Sequence, residues 1–318
     1  MQSKRRWIWV GLIAAGGAFS LFMFLFVVGL MMPDIQSASS QIVEVEVEAK
    51  PLAKGKIALI KLNGAIVSTG PQGGVTGHIL RALKRAERDA EVSVVLLDID
   101  SPGGSVTDSD LIHHRLEKMK ATGKPVYVHF GDLCASGGYY IAVAAKEIWS
   151  RPTSITGSIG VIVPSFSMAE LLGKIGVVDQ SVASGANKQI LSVTKPMSAD
   201  QRAIVQSVVS EMYDRFVTLV ATGRNLDVEK VKTLADGRLY SAEQAKKHRL
   251  VDQIGYRDDL LQHIRDTHGA NLSLVEYRMP VSFIDSLAGG QLSPTFEQWF
   301  STRLQLSNRP AFLFSPIE

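Results

Sequence analysis

The chain has 318 residues, 46% of them hydrophobic, which is enough for one large or two modest domains with a buried core. Its net charge is only +3 and it has no run of five or six like charges, so we expect no nucleic-acid partner. The single cysteine, Cys134, cannot form an internal disulfide, and no Cys/His spacing resembles a zinc site. We therefore expect neither a metal nor a cofactor.

The first predicted element is a transmembrane anchor at residues 7–32. These 26 residues carry no charge and would form a helix of roughly 39 Å, long enough to cross a bilayer. Three basic residues at 4–6 precede the segment, and Asp34 follows it, so residues 1–6 are predicted to be cytoplasmic and the rest extracytoplasmic. The alternative is a signal peptide cleaved near the small residues 37–39, but the apolar run is much longer than an ordinary signal-peptide core.

The remaining chain divides by composition into three parts. Residues 33–55 alternate between Val and Glu before a Pro and a Gly, which predicts a stalk. Residues 56–269 are predicted to form the main folded domain, and residues 270–318 a C-terminal strand and tail.

Apolar, β-branched segments alternate with amphipathic ones through the predicted domain. The predicted strands lie at 57–67, 92–99, 125–130 and 159–163, and the predicted helices at 76–89, 106–121, directly after Ser136 and at 198–223. This alternation predicts an α/β fold in which right-handed βαβ units build a parallel sheet covered by helices. Functional residues of such folds gather at the carboxyl ends of the strands.

Glycine-rich turns follow two of these strands, at residues 100–104 and 134–138. In the second turn, Ser136 stands between a strand and a helix, where its hydroxyl would be presented above the sheet as a nucleophile. The backbone N–H groups of Gly104 and Gly137 are candidates to bind an oxyanion. One glycine-rich turn alone more often makes only a tight turn, but two of them, one holding a serine, favour catalysis.

A serine nucleophile needs a general base, and histidine is the first candidate. Only His129 is close to Ser136 in sequence, and a histidine packed in the sheet is the simpler interpretation of it. The other six histidines lie among polar residues in predicted exposed helices or loops. The Gly-x-Ser-x-Gly motif is absent because Cys134 stands two residues before Ser136, so a Ser-His-Asp triad has little support. Lysine can serve instead when burial lowers its pKa.

Several motifs, in this order, resemble one known family. They are Asp98–Gly104, Ala135–Tyr140, Thr156–Val161, Asp236–Ser241 and Leu250–Gly255. The region from about 57 to 255 resembles the signal peptide peptidase A family, the S49 serine peptidases, in their short single-domain form.

The resemblance implies a ClpP/crotonase-like fold with Ser136 as nucleophile and Lys188 as general base. Ser158 would orient the lysine amine. The family's usual aromatic residue before this lysine is Asn187 here, so Lys174 and Lys195 stay as alternative bases. Without the resemblance, Lys188 would be interpreted as an ordinary exposed loop lysine.

The resemblance also implies the substrates and the assembly. Family members degrade hydrophobic peptides such as released signal peptides, in homo-oligomers whose active sites can be shared between subunits. We expect an enzyme of the bacterial inner membrane with a periplasmic catalytic domain, in which Val161, Ile162 and Val163 contribute to substrate binding. Two alternatives remain open, a crotonase-fold acyl-CoA enzyme and a non-catalytic membrane scaffold, and an active-site-directed probe would discriminate among the three.

Overall fold

The computed structural model describes residues 42–69 and 73–279, together with the backbone of residues 311–313. The predicted cytoplasmic N-terminus, the predicted anchor at 7–32 and most of the predicted tail lie outside the described residues. Among the helices of the described part, none is both long and apolar enough to cross a membrane.

Strands and helices alternate along most of the described chain. The strands are β1 (Val43–Glu48), β2 (Gly55–Asn63), β3 (Val92–Ser101), β4 (Gly103–Ser105), β5 (Val126–Ala135), β6 (Glu147–Ser150), β7 (Ile155–Gly157), β8 (Leu239–Ser241), β9 (Gln253–Ile254), β10 (Leu272–Arg278) and β11 (Ala311–Leu313). The helices are α1 (Gly74–Arg88), α2 (Val106–Ala121), α3 (Gly137–Ala142), α4 (Ala169–Lys174), α5 (Ala199–Arg224), α6 (Val228–Leu234), α7 (Ala242–Lys247) and α8 (Arg257–His268).

The strands form a mainly parallel sheet in the order β1-β10-β2-β3-β5-β6-β9. Strand β7 pairs in parallel with the end of β5 and antiparallel with β8, whereas β1 pairs antiparallel with β10. A separate two-stranded ribbon joins β4 to β11. The predicted α/β class with a parallel sheet is confirmed.

Helices cover both faces of the sheet because alternate strand residues point to opposite sides. On one face, Val95 and Leu97 of β3 pack in the larger core with α1, α2, α3 and α5. On the other face, Val94 and Leu96 pack against Leu260 and other residues of α8. Burial on both faces explains why β3 reads as an almost continuous apolar run.

The sheet extends beyond the predicted domain boundaries at both ends. Residues 43–48 of the predicted stalk form the edge strand β1, and β10 lies between β1 and β2 although it comes more than about 200 residues later in the chain. The strand predicted at 159–163 is corrected, because the paired strand is β7 at 155–157. Ile159 is buried in the core, and residues 160–163 line grooves. The next helix, α4, begins at Ala169.

The long predicted helix forms as α5, with a complete capping box between Ser198 and Gln201. Its apolar face packs only in the second half: Phe216 is fully buried, whereas Ile204 and Val208 remain more than 40% exposed. The first half of α5 therefore presents apolar side chains to solvent within one subunit.

Candidate active site

Ser136 stands at the sharp turn from β5 into α3. Its backbone has φ 54° and ψ −115°, in a region that a non-glycine residue adopts only under strain. Its N–H donates to the carbonyl of Gly157 at 2.8 Å, and its own carbonyl accepts the first hydrogen bond of the helix, from Tyr140. The serine is 1% exposed, and its Oγ has no hydrogen-bond partner among the described residues. A strained turn thus holds a hydroxyl that the described part of the subunit leaves unpaired.

The two candidate oxyanion donors, Gly104 and Gly137, lie side by side. A Cβ on Gly137 would come within 3.2 Å of the Gly104 nitrogen and 2.5 Å of the Ser109 hydroxyl. A Cβ on Gly104 would overlap the backbone of Ile66. Glycine is required at both positions by this close approach, and the result is two backbone amides next to Ser136.

Ser158 occupies the neighbouring strand end. Ala135 of β5 is paired with Gly157 of β7. Ser136 and Ser158 directly follow these two paired residues, so both serines lie at the same end of the strand pair. Ser158 also has a positive φ, 49°, and its N–H donates to the carbonyl of Arg238 at 2.8 Å. The structure therefore brings Ser136, Gly137, Gly104 and Ser158 to one region.

The predicted base, Lys188, forms no hydrogen bond with Ser136 Oγ within the described part of the subunit. It lies exposed in a turn at residues 184–191, where its N–H donates to the Gly185 carbonyl at 3.1 Å. Of the alternatives, Lys195 donates to Gln189 at 3.0 Å and lies 3.5 Å from the Asp179 carboxylate. Lys174 is exposed at the end of α4.

The histidines are accounted for by packing. His129 is fully buried in β5 and its Nδ1 lies 2.7 Å from Asp98, in accordance with the structural interpretation made from the sequence. His113 was expected to be exposed, but it is buried on α2 with its ring edge-on to Tyr140, and burial lowers its pKa. No histidine of the described residues donates to or accepts from Ser136 Oγ.

Val161, Ile162 and Val163 line grooves that begin at Ser158. A groove of about 390 Å³ contains Ser158, Val161, Ile162 and residues of α5, and a second of about 450 Å³ continues past Val163 to Phe166 and Met197. Val161 and Ile162 line both grooves. The two grooves, of mixed polar and apolar lining, thus lie between Ser158 and the exposed half of α5.

Strand β4, which carries Gly104, accepts an antiparallel strand at its edge. Residues 311–313 pair with Gly103–Ser105, with position 312 opposite Gly104. On its other side Gly104 forms a parallel bridge with Ile66. The edge beside the candidate oxyanion site can therefore hold an extended backbone.

A polar cluster that the sequence did not indicate holds α3 in place. Tyr140 donates from its hydroxyl to Asp110 of α2 at 2.6 Å, and Arg215 of α5 donates to the same carboxylate at 2.6 Å. Burial alone would raise the pKa of Asp110, but these two hydrogen bonds outweigh it and keep the pKa below its ordinary value. The three residues lie 30 to 105 positions apart, so no local pattern could have found them.

Comparison with known proteins agrees with this geometry. The model of peptidase family S49 matches residues 118–271. The chain is 33% identical, over 99% of its length and 96% of the relative's, to a protein named putative signal peptide peptidase SppA from Enterococcus faecium. It is 36% identical, over 83% of its length and 98% of the relative's, to a putative protease from Synechocystis sp. named slr0021.

Among solved structures, a mutant of the 1510-N membrane-bound stomatin-specific protease superposes with a TM-score of 0.46 at 17% identity. The match covers 66% of this chain and 85% of that one. The relatives from Enterococcus and Synechocystis, matched over nearly their whole length, together with the family model, establish the assignment: this chain belongs to peptidase family S49 and is a serine peptidase.

Proposed function

We propose that the protein is a membrane-anchored endopeptidase with a Ser-Lys dyad that degrades hydrophobic peptides such as released signal peptides. Ser136 attacks the peptide carbonyl, neutral Lys188 removes the serine proton, and the N–H groups of Gly104 and Gly137 bind the oxyanion. Ser158 orients the lysine amine. The leaving amine takes a proton from the lysine, and water then hydrolyses the acyl-enzyme.

The observation that carries this proposal is the state of Ser136. A buried hydroxyl without a partner is costly, and a positive φ at a serine is strained; both are typical of catalytic positions held by the surrounding fold. Gly137, which follows Ser136 directly, lies against the Gly104 backbone at a place where side chains would not fit. Acyl transfer uses this combination of nucleophile and paired amides.

The exposed position of Lys188 favours a base supplied by a neighbouring subunit. Lysine acts as a base near neutral pH when burial lowers its pKa, and an exposed turn does not provide such burial. The first half of α5, close to the turn that carries Lys188, leaves Ile204 and Val208 exposed. Packing of a second copy there would bury these apolar residues and the lysine turn together.

The grooves beside Ser158 favour apolar, extended substrates. Val161 and Ile162 offer apolar surface in the groove that contains Ser158, and Val163 offers it in the adjoining groove. Pairing of β11 with β4 is a precedent for an extended backbone at the oxyanion edge, where a substrate would compete with residues 311–313. A peptide released from a membrane-spanning segment has the apolar side chains that these grooves suit.

The predicted anchor at 7–32 accounts for access to such peptides. With residues 1–6 in the cytoplasm, the catalytic domain would face the periplasm at the surface of the bacterial inner membrane. Substrates leaving the bilayer would then reach the active site over a short distance.

Covalent labelling tests the proposal. A fluorophosphonate should label the purified oligomer at Ser136, identified by mass spectrometry of the labelled peptide. Ser136→Ala should lose both the label and hydrolysis of an apolar peptide while keeping its thermal unfolding temperature.

The control is Ser273→Ala, which alters a nearly buried serine on β10 and should keep both label and activity. Hydrolysis by Ser136→Ala at the parent rate would refute the nucleophile. A parent protein that neither takes the label nor cleaves any apolar peptide would favour the scaffold alternative.

A further inference from the structure

Helix α1 carries a basic stripe, formed by Arg81, Lys84, Arg85 and Arg88. The spacing i, i+3, i+4, i+7 puts these four residues on one face of the helix. The other face is buried in the core through Ile79, Ala82, Leu83 and Ala86. Lys84, Arg85 and Arg88 are exposed and Arg81 is half-buried, so the positive charges face solvent.

Two residues of the basic stripe, Lys84 and Arg88, are not neutralised by the acidic residues nearby. Glu87 is paired with Arg115 of α2, and the carboxylate of Glu44 lies 3.6 Å from Arg85. Across the described ranges 42–69 and 73–279, Lys84 and Arg88 form no ion pair.

Asp89 follows the stripe, but other groups already engage its carboxylate. It accepts a hydrogen bond from the Tyr277 hydroxyl at 2.7 Å and lies 3.6 Å from the Lys56 amine. The surface therefore keeps an excess of positive charge.

The described fold begins beside this stripe. Ile42, Asp89 and the four basic residues together line a groove of about 490 Å³. Nine residues, 33–41, separate Ile42 from the end of the predicted anchor. Even fully extended, nine residues span about 30 Å, so the groove is held within that distance of the bilayer.

We propose that the basic stripe docks on the phosphates of anionic phospholipids and so fixes the orientation of the catalytic domain on the membrane. The inference rests on the proposed anchor at 7–32. Basic side chains near an anionic bilayer each favour the bound state about fivefold, and the tether keeps the stripe within reach of the surface. Guanidinium groups are well suited to phosphate because they can donate two parallel hydrogen bonds.

The full chain, reconstituted in vesicles, tests this docking. Cys134 is the only cysteine and is buried, which raises its pKa, so a fluorophore attached at Ala90→Cys reports specifically from the end of α1. Lipids with a nitroxide on the headgroup should quench this fluorophore in phosphatidylcholine vesicles that contain about 30% phosphatidylglycerol. Quenching should fall in pure phosphatidylcholine and at high salt, because screening weakens exposed charge interactions.

A pair of charge-reversal variants provides the matched control. Lys84→Glu/Arg88→Glu should lower the equilibrium constant for docking about 25-fold or more, since two attractions are lost. Lys230→Glu/Lys247→Glu makes the same change of charge at two exposed positions on α6 and α7, and should leave quenching unchanged.

Equal quenching in vesicles with and without phosphatidylglycerol would overturn the proposed docking. An equal loss of quenching in both charge-reversal variants would overturn it too. Failure of the full chain to enter vesicles would overturn it as well, through the anchor. Peptidase activity and fluorophosphonate labelling in detergent report on Ser136 separately, so a failed docking surface is distinguishable from a failed active site.

Discussion

Different obstacles surround the two glycines beside Ser136, and this difference can be measured. A side chain at Gly137 would first meet the Ser109 hydroxyl, at 2.5 Å, whereas a side chain at Gly104 would meet only the backbone of Ile66. A hydroxyl can be removed by mutation, but a backbone cannot.

We therefore expect Gly137→Ala to lower kcat about a hundredfold, because displacement of one oxyanion donor costs roughly that much. Adding Ser109→Ala removes the nearest obstacle and should recover part of the rate. Recovery should be incomplete because contacts of 3.2 Å and 3.3 Å with Gly104 and Gly103 remain. Gly104→Ala should stay inactive in the Ser109→Ala background. Steady-state kinetics on an apolar peptide measure all three, and equal rescue of both glycine variants would contradict this account.

The lysines are distinguished by their partners. Lys188→Ala should lower kcat by about 10²–10⁴, the usual contribution of a general base, without dissociating the oligomer. Lys195→Ala is the matched control: Lys195 is engaged by Gln189 and Asp179, and its loss should change kcat by less than about tenfold. A larger loss of kcat in Lys195→Ala than in Lys188→Ala would assign the role of general base to Lys195.

Among the elements, β3, β5 and α8 are joined by a buried polar contact remote from Ser136. Asp98 lies 2.7 Å from Nδ1 of His129 and 3.4 Å from Arg257 of α8. Burial acts to raise the pKa of Asp98, but the hydrogen bond from His129 and the nearby positive charges outweigh it, so the pKa is lowered. A lowered folded-state pKa means that the contact stabilises the fold above the unfolded pKa of about 3.9.

This stabilisation should be lost as the pH falls below about 4 through the lowered pKa. Asp98→Asn should reduce the free energy of unfolding at pH 7 by about 1–3 kcal/mol, and should flatten its dependence on pH below 4. Asp266→Asn, at an exposed position of α8, should behave like the parent. Urea unfolding at several pH values measures the effect, and a parent-like pH profile for Asp98→Asn would show that the contact contributes nothing.

The elements were predictable to the extent that local pattern determined them. Helix α2 begins and ends where the periodicity predicts, and local capping boxes at Ser198 and Ser241 mark the starts of α5 and α7. The position of β7 was missed because three residues carry too little pattern to define a strand. Exposure of the first half of α5 was missed because periodicity shows that a face is apolar but not what covers it.

At the scale of the whole molecule, the absence of a hydrogen bond between Lys188 and Ser136 Oγ within the described part of one subunit leads to a complementation test. If each site takes its serine from one subunit and its lysine from the next, co-expression of Ser136→Ala and Lys188→Ala in equal amounts should give about a quarter of the sites both residues. Each variant alone should be inactive.

The measurement is the peptidase activity of the co-assembled oligomer. It is compared with the activity of the parent, whose active sites are counted by fluorophosphonate labelling. No recovery, with mixed assembly demonstrated by differently tagged subunits, would mean that serine and lysine come from the same subunit.

The sequence by itself determined the α/β class, the order of most elements and the position of Ser136 between a strand and a helix. These features depend on residues close together in the chain, where periodicity, caps and glycine-rich turns act directly. The tertiary structure alone decided that β10 lies between β1 and β2 and that Gly104 adjoins Gly137. It also brought Asp110, Tyr140 and Arg215 together, and left Lys188 in an exposed turn. Such contacts join segments far apart in the chain, and pairing and packing of the whole sheet select them rather than any local preference.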